Sequence, residues 1–308
     1  MSIRPSALVA ALLGGVVALS GCSAVSGSGP RAVRQLHLVA SFYPLQWVAQ
    51  QVAGSRATVG SLTKPGAEPH DLELSPRDVV KVAAADLIVY VKGFQAAVDS
   101  VVSKEAGGRG FDVSPAADLN LRYDPVEGGR RQGKGATDPH FWLDPIRLRA
   151  VAAALAVRLA KLDPGNAATY RVNADTLRAK LTALDGDFRA GLADCANKDL
   201  VTSHNAFGYL GQRYGLVQVG ITGLTPEAEP NPADLAMVAE FVRTNHVRTI
   251  YYETLVSPAV ARAVAAETGA STAVLDPIEG LTRESRGSNY LEVMRSNLAS
   301  IKKGQPCP

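Results

Sequence analysis

Leu87-Ile88-Val89-Tyr90-Val91 is apolar along its whole length, with no alternation of polar and apolar residues. A strand of this kind is buried on both faces, which is the condition of a parallel sheet covered by helices. Its surroundings agree. Pro76 to Ala85 reads as a helix opened by Ser75, a favourable N-cap followed by proline at the first helical position. Phe94 to Glu105 reads as another helix. Further upstream, Leu36 to Ser41 and Ala57 to Leu62 are strand-like and flank a helical segment, Leu45 to Val52. This order of strand and helix predicts an α/β lobe with a parallel sheet.

Arg122 to Thr137 interrupts the rhythm with Pro125, several glycines and charges, and reads as a loop. Ile146 to Leu162 follows as a helix, then a turn or kink at Asp163-Pro164-Gly165. From Ala167 to Leu192 the apolar positions Leu177, Leu181, Leu184, Phe188 and Leu192 keep helical spacing, which predicts one long helix. Alternation then resumes, with strands expected at Leu200–Ser203, Val217–Ile221, Thr249–Glu253 and Thr272–Leu275. The helices between and after them are Ala206–Tyr214, Pro232–Thr244, Pro258–Thr268 and Tyr290–Lys302. The chain thus divides into an N-terminal lobe (36–162), a linking helix (163–194) and a C-terminal lobe (195–308).

The first residues set the compartment. Arg4 precedes an apolar run from Ala7 to Leu19, too short to span a bilayer. It ends in Leu19-Ser20-Gly21-Cys22, which resembles the lipobox of bacterial lipoproteins. The resemblance implies a signal peptide over 1–21, a lipid on Cys22, and a tether over 22–35 rich in Ser and Gly. The protein is then expected outside the cytoplasm, anchored to the membrane by lipid. Cys195 and Cys307 remain, and in an oxidising space they either pair or stay as free thiols. The formal charge of +3 is spread along the chain with no basic stripe, so nucleic acid is not an expected partner.

Three of the five histidines stand where a ligand crevice is expected. His70 lies past the strand ending near Leu62. His140 lies in Asp138-Pro139-His140-Phe141-Trp142-Leu143-Asp144-Pro145. His204 directly follows the strand ending at Ser203. Asp276 follows the strand Thr272–Leu275 in the same way. In open α/β sheets, ligands bind beyond the carboxyl ends of the strands. Three neutral imidazoles and one carboxylate suit tetrahedral Zn²⁺. Ligands this far apart in sequence form a site that lobe movement can open. A single histidine after a strand is more often a structural hydrogen-bonder, and an aspartate before proline, such as Asp276, more often a turn residue or helix cap.

The flanking motifs are similar to those of the cluster A-I solute-binding proteins of zinc and manganese ABC importers. They are Gly66-Ala67-Glu68-Pro69-His70-Asp71, Asp138 to Pro145, Ser203-His204-Asn205-Ala206-Phe207-Gly208-Tyr209-Leu210, Glu227-Ala228-Glu229-Pro230, Tyr252-Glu253 and Leu275-Asp276-Pro277. The resemblance runs from Leu36 to Ile301. It implies two (β/α) lobes with parallel sheets, joined by a long rigid helix, with a metal site in the cleft between them. It further implies His70, His140, His204 and Asp276 as ligands, an ABC permease as partner, and a monomer that captures Zn²⁺ for transport and catalyses nothing.

Two details bear on the cargo. Many zinc-type members carry a histidine- and acid-rich loop before the second ligand. Here Arg122 to Thr137 has no histidine and only Asp124 and Glu127 as acids. Manganese-type members often place a glutamate where His204 stands, and an imidazole there softens the site toward zinc. Mn²⁺ or iron is the alternative cargo, and adhesion a second role. Glu253 is a candidate for orienting a ligand histidine through its other ring nitrogen, and Asp144 is another. A zinc hydrolase has less support, since HExxH and Gly-x-Ser-x-Gly are both missing from the sequence.

Overall fold

The structure, a computed structural model, describes residues 35–123, 126–127, 130–131 and 135–307. The expected signal peptide, Cys22, most of the expected tether and Asp124 lie outside the described residues.

The first lobe holds strands β1 (Leu36–Ala40), β2 (Ala57–Ser61), β3 (Leu87–Tyr90) and β4 (Gly110–Asp112). They form one parallel sheet in the order β2-β1-β3-β4, with Leu38 opposite Leu87 and Ile88 opposite Gly110. Helices α1 (Tyr43–Ala53), α2 (Pro76–Ala84) and α3 (Ala96–Glu105) cross between the strands. Ser75 caps α2 as its composition predicts, its backbone N–H donating to Asp78 Oδ2 at 3.1 Å.

Two antiparallel helices follow, α4 (Pro145–Leu162) and the 26-residue α5 (Ala167–Leu192). The second lobe repeats the first, with β5 (Asp199–Thr202), β6 (Val217–Gly220), β7 (Thr249–Tyr252) and β8 (Ser271–Val274). These are again all parallel, in the order β6-β5-β7-β8. Its helices are α6 (Gly208–Tyr214), α7 (Pro232–Thr244), α8 (Ala259–Thr268) and α9 (Tyr290–Gly304).

Burial explains why the strands are apolar throughout. Leu38, Leu87 and Val89 point into the main core, with α4 and α5, whereas Val39 and Ile88 point into a separate cluster with Val82 and Val98. The second sheet divides likewise, with Leu200 and Tyr251 in the main core and Val201 and Ile250 in an outer cluster under α7 and α8. The main core is continuous through Leu177, Leu181, Leu184 and Phe188 of α5 into Tyr290 and Met294 of α9. Each such leucine, fully buried, contributes about 1.5–3 kcal/mol. The linking helix is therefore part of the core of both lobes.

Five short strands depart from the sequence reading: β4, and, within the segment read as a loop, the antiparallel two-residue pairs Arg122–Tyr123 with Ala136–Thr137 and Val126–Glu127 with Arg130–Arg131. In β4, Gly110-Phe111-Asp112, only Phe111 is a strong strand former. A Cβ at Gly110 would come within 2.8 Å of Val102 Cγ1, so glycine lets this edge strand pack under α3. At the other end, Cys195 and Cys307 form a disulfide. Closing that loop of 112 positions contributes about 4–5 kcal/mol in the chain-entropy view.

Candidate metal centre

Both sheets have the strand order in which the chain reverses direction of travel beside the first strand. In the second sheet this switch point lies between β5 and β7. His204 and Glu253 stand just past the carboxyl ends of those two strands. Their side chains meet there, with His204 Nδ1 2.6 Å from Glu253 Oε1. The His204 carbonyl is fixed by Thr202 Oγ1 at 2.6 Å and Gln218 Nε2 at 3.0 Å. His204 Nε2 is thereby aimed away from the sheet, into the space between the lobes.

His140 is held by the acid two residues before it. Asp138 Oδ1 accepts the His140 backbone N–H at 2.9 Å and lies 2.8 Å from Nδ1. The loop carrying both is locked to the second lobe. Tyr209 donates to the Asp138 carbonyl at 3.1 Å, and Trp142 Nε1 donates to the Pro277 carbonyl at 2.7 Å. A Cβ at Gly208 would lie 2.6 Å from Asp138 Oδ2, so glycine permits the approach.

His70 comes from the loop after β2. Buried Gln95 donates to the Pro69 carbonyl at 3.0 Å, and Glu68 accepts the His70 N–H at 2.8 Å.

The fourth donor is Glu279, and this corrects the expectation for Asp276. Glu279 Oε1 lies 3.2 Å from His70 Nε2, 3.2 Å from His140 Nε2 and 3.4 Å from His204 Nε2. The donor atoms of these four residues all lie within 4.8 Å of one another. Asp276 has other work. Its Oδ1 accepts the Ile278 N–H at 2.7 Å, and its Oδ2 accepts from Ser285 at 2.7 Å and Thr254 at 3.3 Å. Asn297 of α9 clamps its backbone from both sides, at 2.9 and 2.7 Å. With both oxygens engaged, Asp276 builds the turn that aims Glu279. Ile278, at the centre of that turn, has φ of +58°, a left-handed conformation that costs a β-branched residue about 1–3 kcal/mol. The sequence offered one clue, a second acid in the loop after the last strand.

Asp144 is also corrected. It caps α4 by accepting the Ile146 N–H at 2.8 Å, and it pairs with Arg213 at 3.2 Å and Arg147 at 3.4 Å. The carboxylate that orients His140 is Asp138. Glu253 does lie where an orienting partner of His204 is needed.

The electrostatics suit a cation. His140, His204 and Glu279 are completely buried. His204 Nε2 and Glu279 Oε2 have no hydrogen-bond partner, and an orphaned buried pair of this kind is costly without an ion between them. Burial disfavours charge on His204, but the Glu253 carboxylate outweighs it and pushes the imidazole up to about 10. His140 is raised too, burial being overcome by its bonds to Asp138 and Glu279. Burial lowers His70. Burial would raise Glu279, yet the three histidines hold it well below the usual carboxylate range. Burial pushes Glu68 up to about 7.

A divalent metal therefore replaces protons. Because His204 is pushed up to about 10 and the free site holds it protonated at neutral pH, affinity rises with pH toward 10 and falls as pH drops. The slope is about tenfold per pH unit for each proton expelled. Zinc titration calorimetry in buffers of different ionisation enthalpy should show that release. A binding heat independent of buffer would contradict it.

A sequence profile of ZnuA, zinc-uptake complex component A periplasmic, matches residues 38–304. The chain belongs to this family. Among its members, the high-affinity zinc uptake system protein ZnuA of Bacillus subtilis (strain 168) is 33% identical over 296 residues, 93% of each chain. The zinc-binding lipoprotein AdcA of Streptococcus pneumoniae serotype 4 is 36% identical over 278 residues, which cover 87% of this chain and 56% of AdcA. The chain thus spans just over half the length of AdcA. The crystal structure of the Zn(II)-bound ZnuA-like domain of S. pneumoniae AdcA superposes with a TM-score of 0.73 at 35% identity, covering 88% of this chain and 99% of that one. The laminin-binding protein Lmb of Streptococcus agalactiae, described as a bifunctional protein with adhesin and metal transporting activity, gives 0.77 at 31% identity, covering 87% and 99%. The zinc-uptake family and the two-lobed α/β fold expected from the motifs are both shown.

Proposed function

We propose that this chain captures Zn²⁺ outside the cytoplasm and delivers it to the permease of an ABC-type importer. The observation that carries this is the convergence of His70, His140, His204 and Glu279 on one buried point. Three imidazoles and one carboxylate fill a tetrahedral zinc shell. Four protein ligands leave no position for an activated water, so the reading is a carrier that binds its cargo, not a hydrolase. The soft, nitrogen-rich donor set favours zinc over manganese. Anchoring through a lipid on Cys22 is in keeping with the lipoprotein status of the pneumococcal relative.

The test is zinc-dependent growth. Cells lacking the protein should grow poorly when zinc is chelated and recover with the wild-type chain, but not with His140→Ala. Full recovery with that variant would refute the reading. The similarity to Lmb favours a second reading, adhesion to laminin. Laminin binding that persists in His140→Ala would separate it from metal capture.

A further inference from the structure

The donor cluster is not equally enclosed on all sides. The side chains of His140, His204 and Glu279 are 0% exposed, whereas His70 is 8% and its neighbour Glu68 9% exposed. Among these residues, solvent reaches the site only at the His70–Glu68 edge. Glu68 Oε1 lies 3.9 Å from His70 Nε2, the atom that faces the metal. The carboxylate does not hang free in the opening. It accepts the backbone N–H of His70 at 2.8 Å and of Asp71 at 3.3 Å, which fixes its place.

Accepting that the four residues named above hold the cargo, we infer that Glu68 is the entry carboxylate of the site. It gathers the hydrated cation at the mouth and passes it to His70, without belonging to the final ligand set. A hydrated dication exchanges its water for protein donors from an encounter complex, so the rate follows how often that complex is populated. A fixed negative charge at this partly exposed edge raises that population. In the loaded site the same charge stands outside a filled tetrahedral shell, so it acts on arrival more than on retention.

Glu68→Gln is the discriminating variant. The amide oxygen still accepts the two N–H groups, while the charge is gone. Trp142, whose ring centroid is 5.1 Å from that of His140, is a built-in fluorescence probe of occupancy. Stopped-flow mixing of metal-stripped protein with Zn²⁺ at pH 8 should show association slowed roughly threefold to tenfold and less sensitive to salt. Chelator-driven dissociation should change by less than about twofold, and Glu68→Asp should restore much of the association rate. An unchanged association rate, or a loss confined to dissociation, would overturn the role. His140→Ala runs alongside as a control. If it bound zinc as well as the wild type, the ligand set itself would be wrong, a failure distinct from an unchanged Glu68→Gln.

Discussion

Replacing His140 with alanine is expected to weaken zinc binding by at least about 100-fold. Loss of a partner that merely orients a ligand weakens binding by about 10–100-fold, and His140 is itself a donor. The imidazole is fully buried, and Nε2 faces Glu279 at 3.2 Å. The rings packed on it, Phe94 and Trp142, offer no ligand atom in its place. The metal-free fold should survive, because the loop stays tied by Trp142 to Pro277 and by Tyr290 to the Trp142 carbonyl at 2.5 Å. Thermal unfolding makes the comparison direct. A ligand at 1,000 times its Kd stabilises by about 4 kcal/mol. Zinc should therefore raise the melting temperature of the wild type and leave His140→Ala where it was. A variant that melts far below metal-free wild type without zinc would show that His140 is structural.

The second large effect separates Glu279 from Asp276, two acids three positions apart. Glu279→Gln should also cost at least about 100-fold in zinc affinity, for a neutral amide is a poor ligand where a buried carboxylate stood. The loss is compounded because the Glu279 carboxylate faces all three Nε2 atoms. Asp276→Asn should cost about 10–100-fold, through a misaimed Glu279. It should also cost about 1–3 kcal/mol of stability, because an amide cannot accept all three hydrogen bonds now made by the carboxylate. Isothermal titration and denaturant melts of the two variants decide the point. Asp276→Asn losing more affinity than Glu279→Gln would return Asp276 to the ligand shell.

That pair marks where sequence stops informing the site. The three histidines are legible because each follows a strand or opens a helix whose limits are written in apolar runs, caps and prolines. The choice between Asp276 and Glu279 is not, because it hangs on one left-handed residue, Ile278, and on Asn297, which reaches back from α9. Neither leaves a local signal. Asp144 misleads for a similar reason. It is near His140 in sequence, but Arg213 from α6 and its capping bond turn it away. Glu253 is legible from its place at a strand end. In the fold, short β4 escapes notice, since a glycine before one aromatic residue does not read as a strand, and so do the two-residue pairs within Arg122–Thr137, whose prolines, glycines and charges read as a loop.

The central claim is one zinc held by three imidazoles and a carboxylate, and titration of the metal-stripped chain with Zn²⁺ and Mn²⁺ tests it most directly. One tightly bound zinc per chain, not displaced by excess manganese, is the predicted result. Displacement of zinc by manganese, or no saturable binding of zinc, would contradict it.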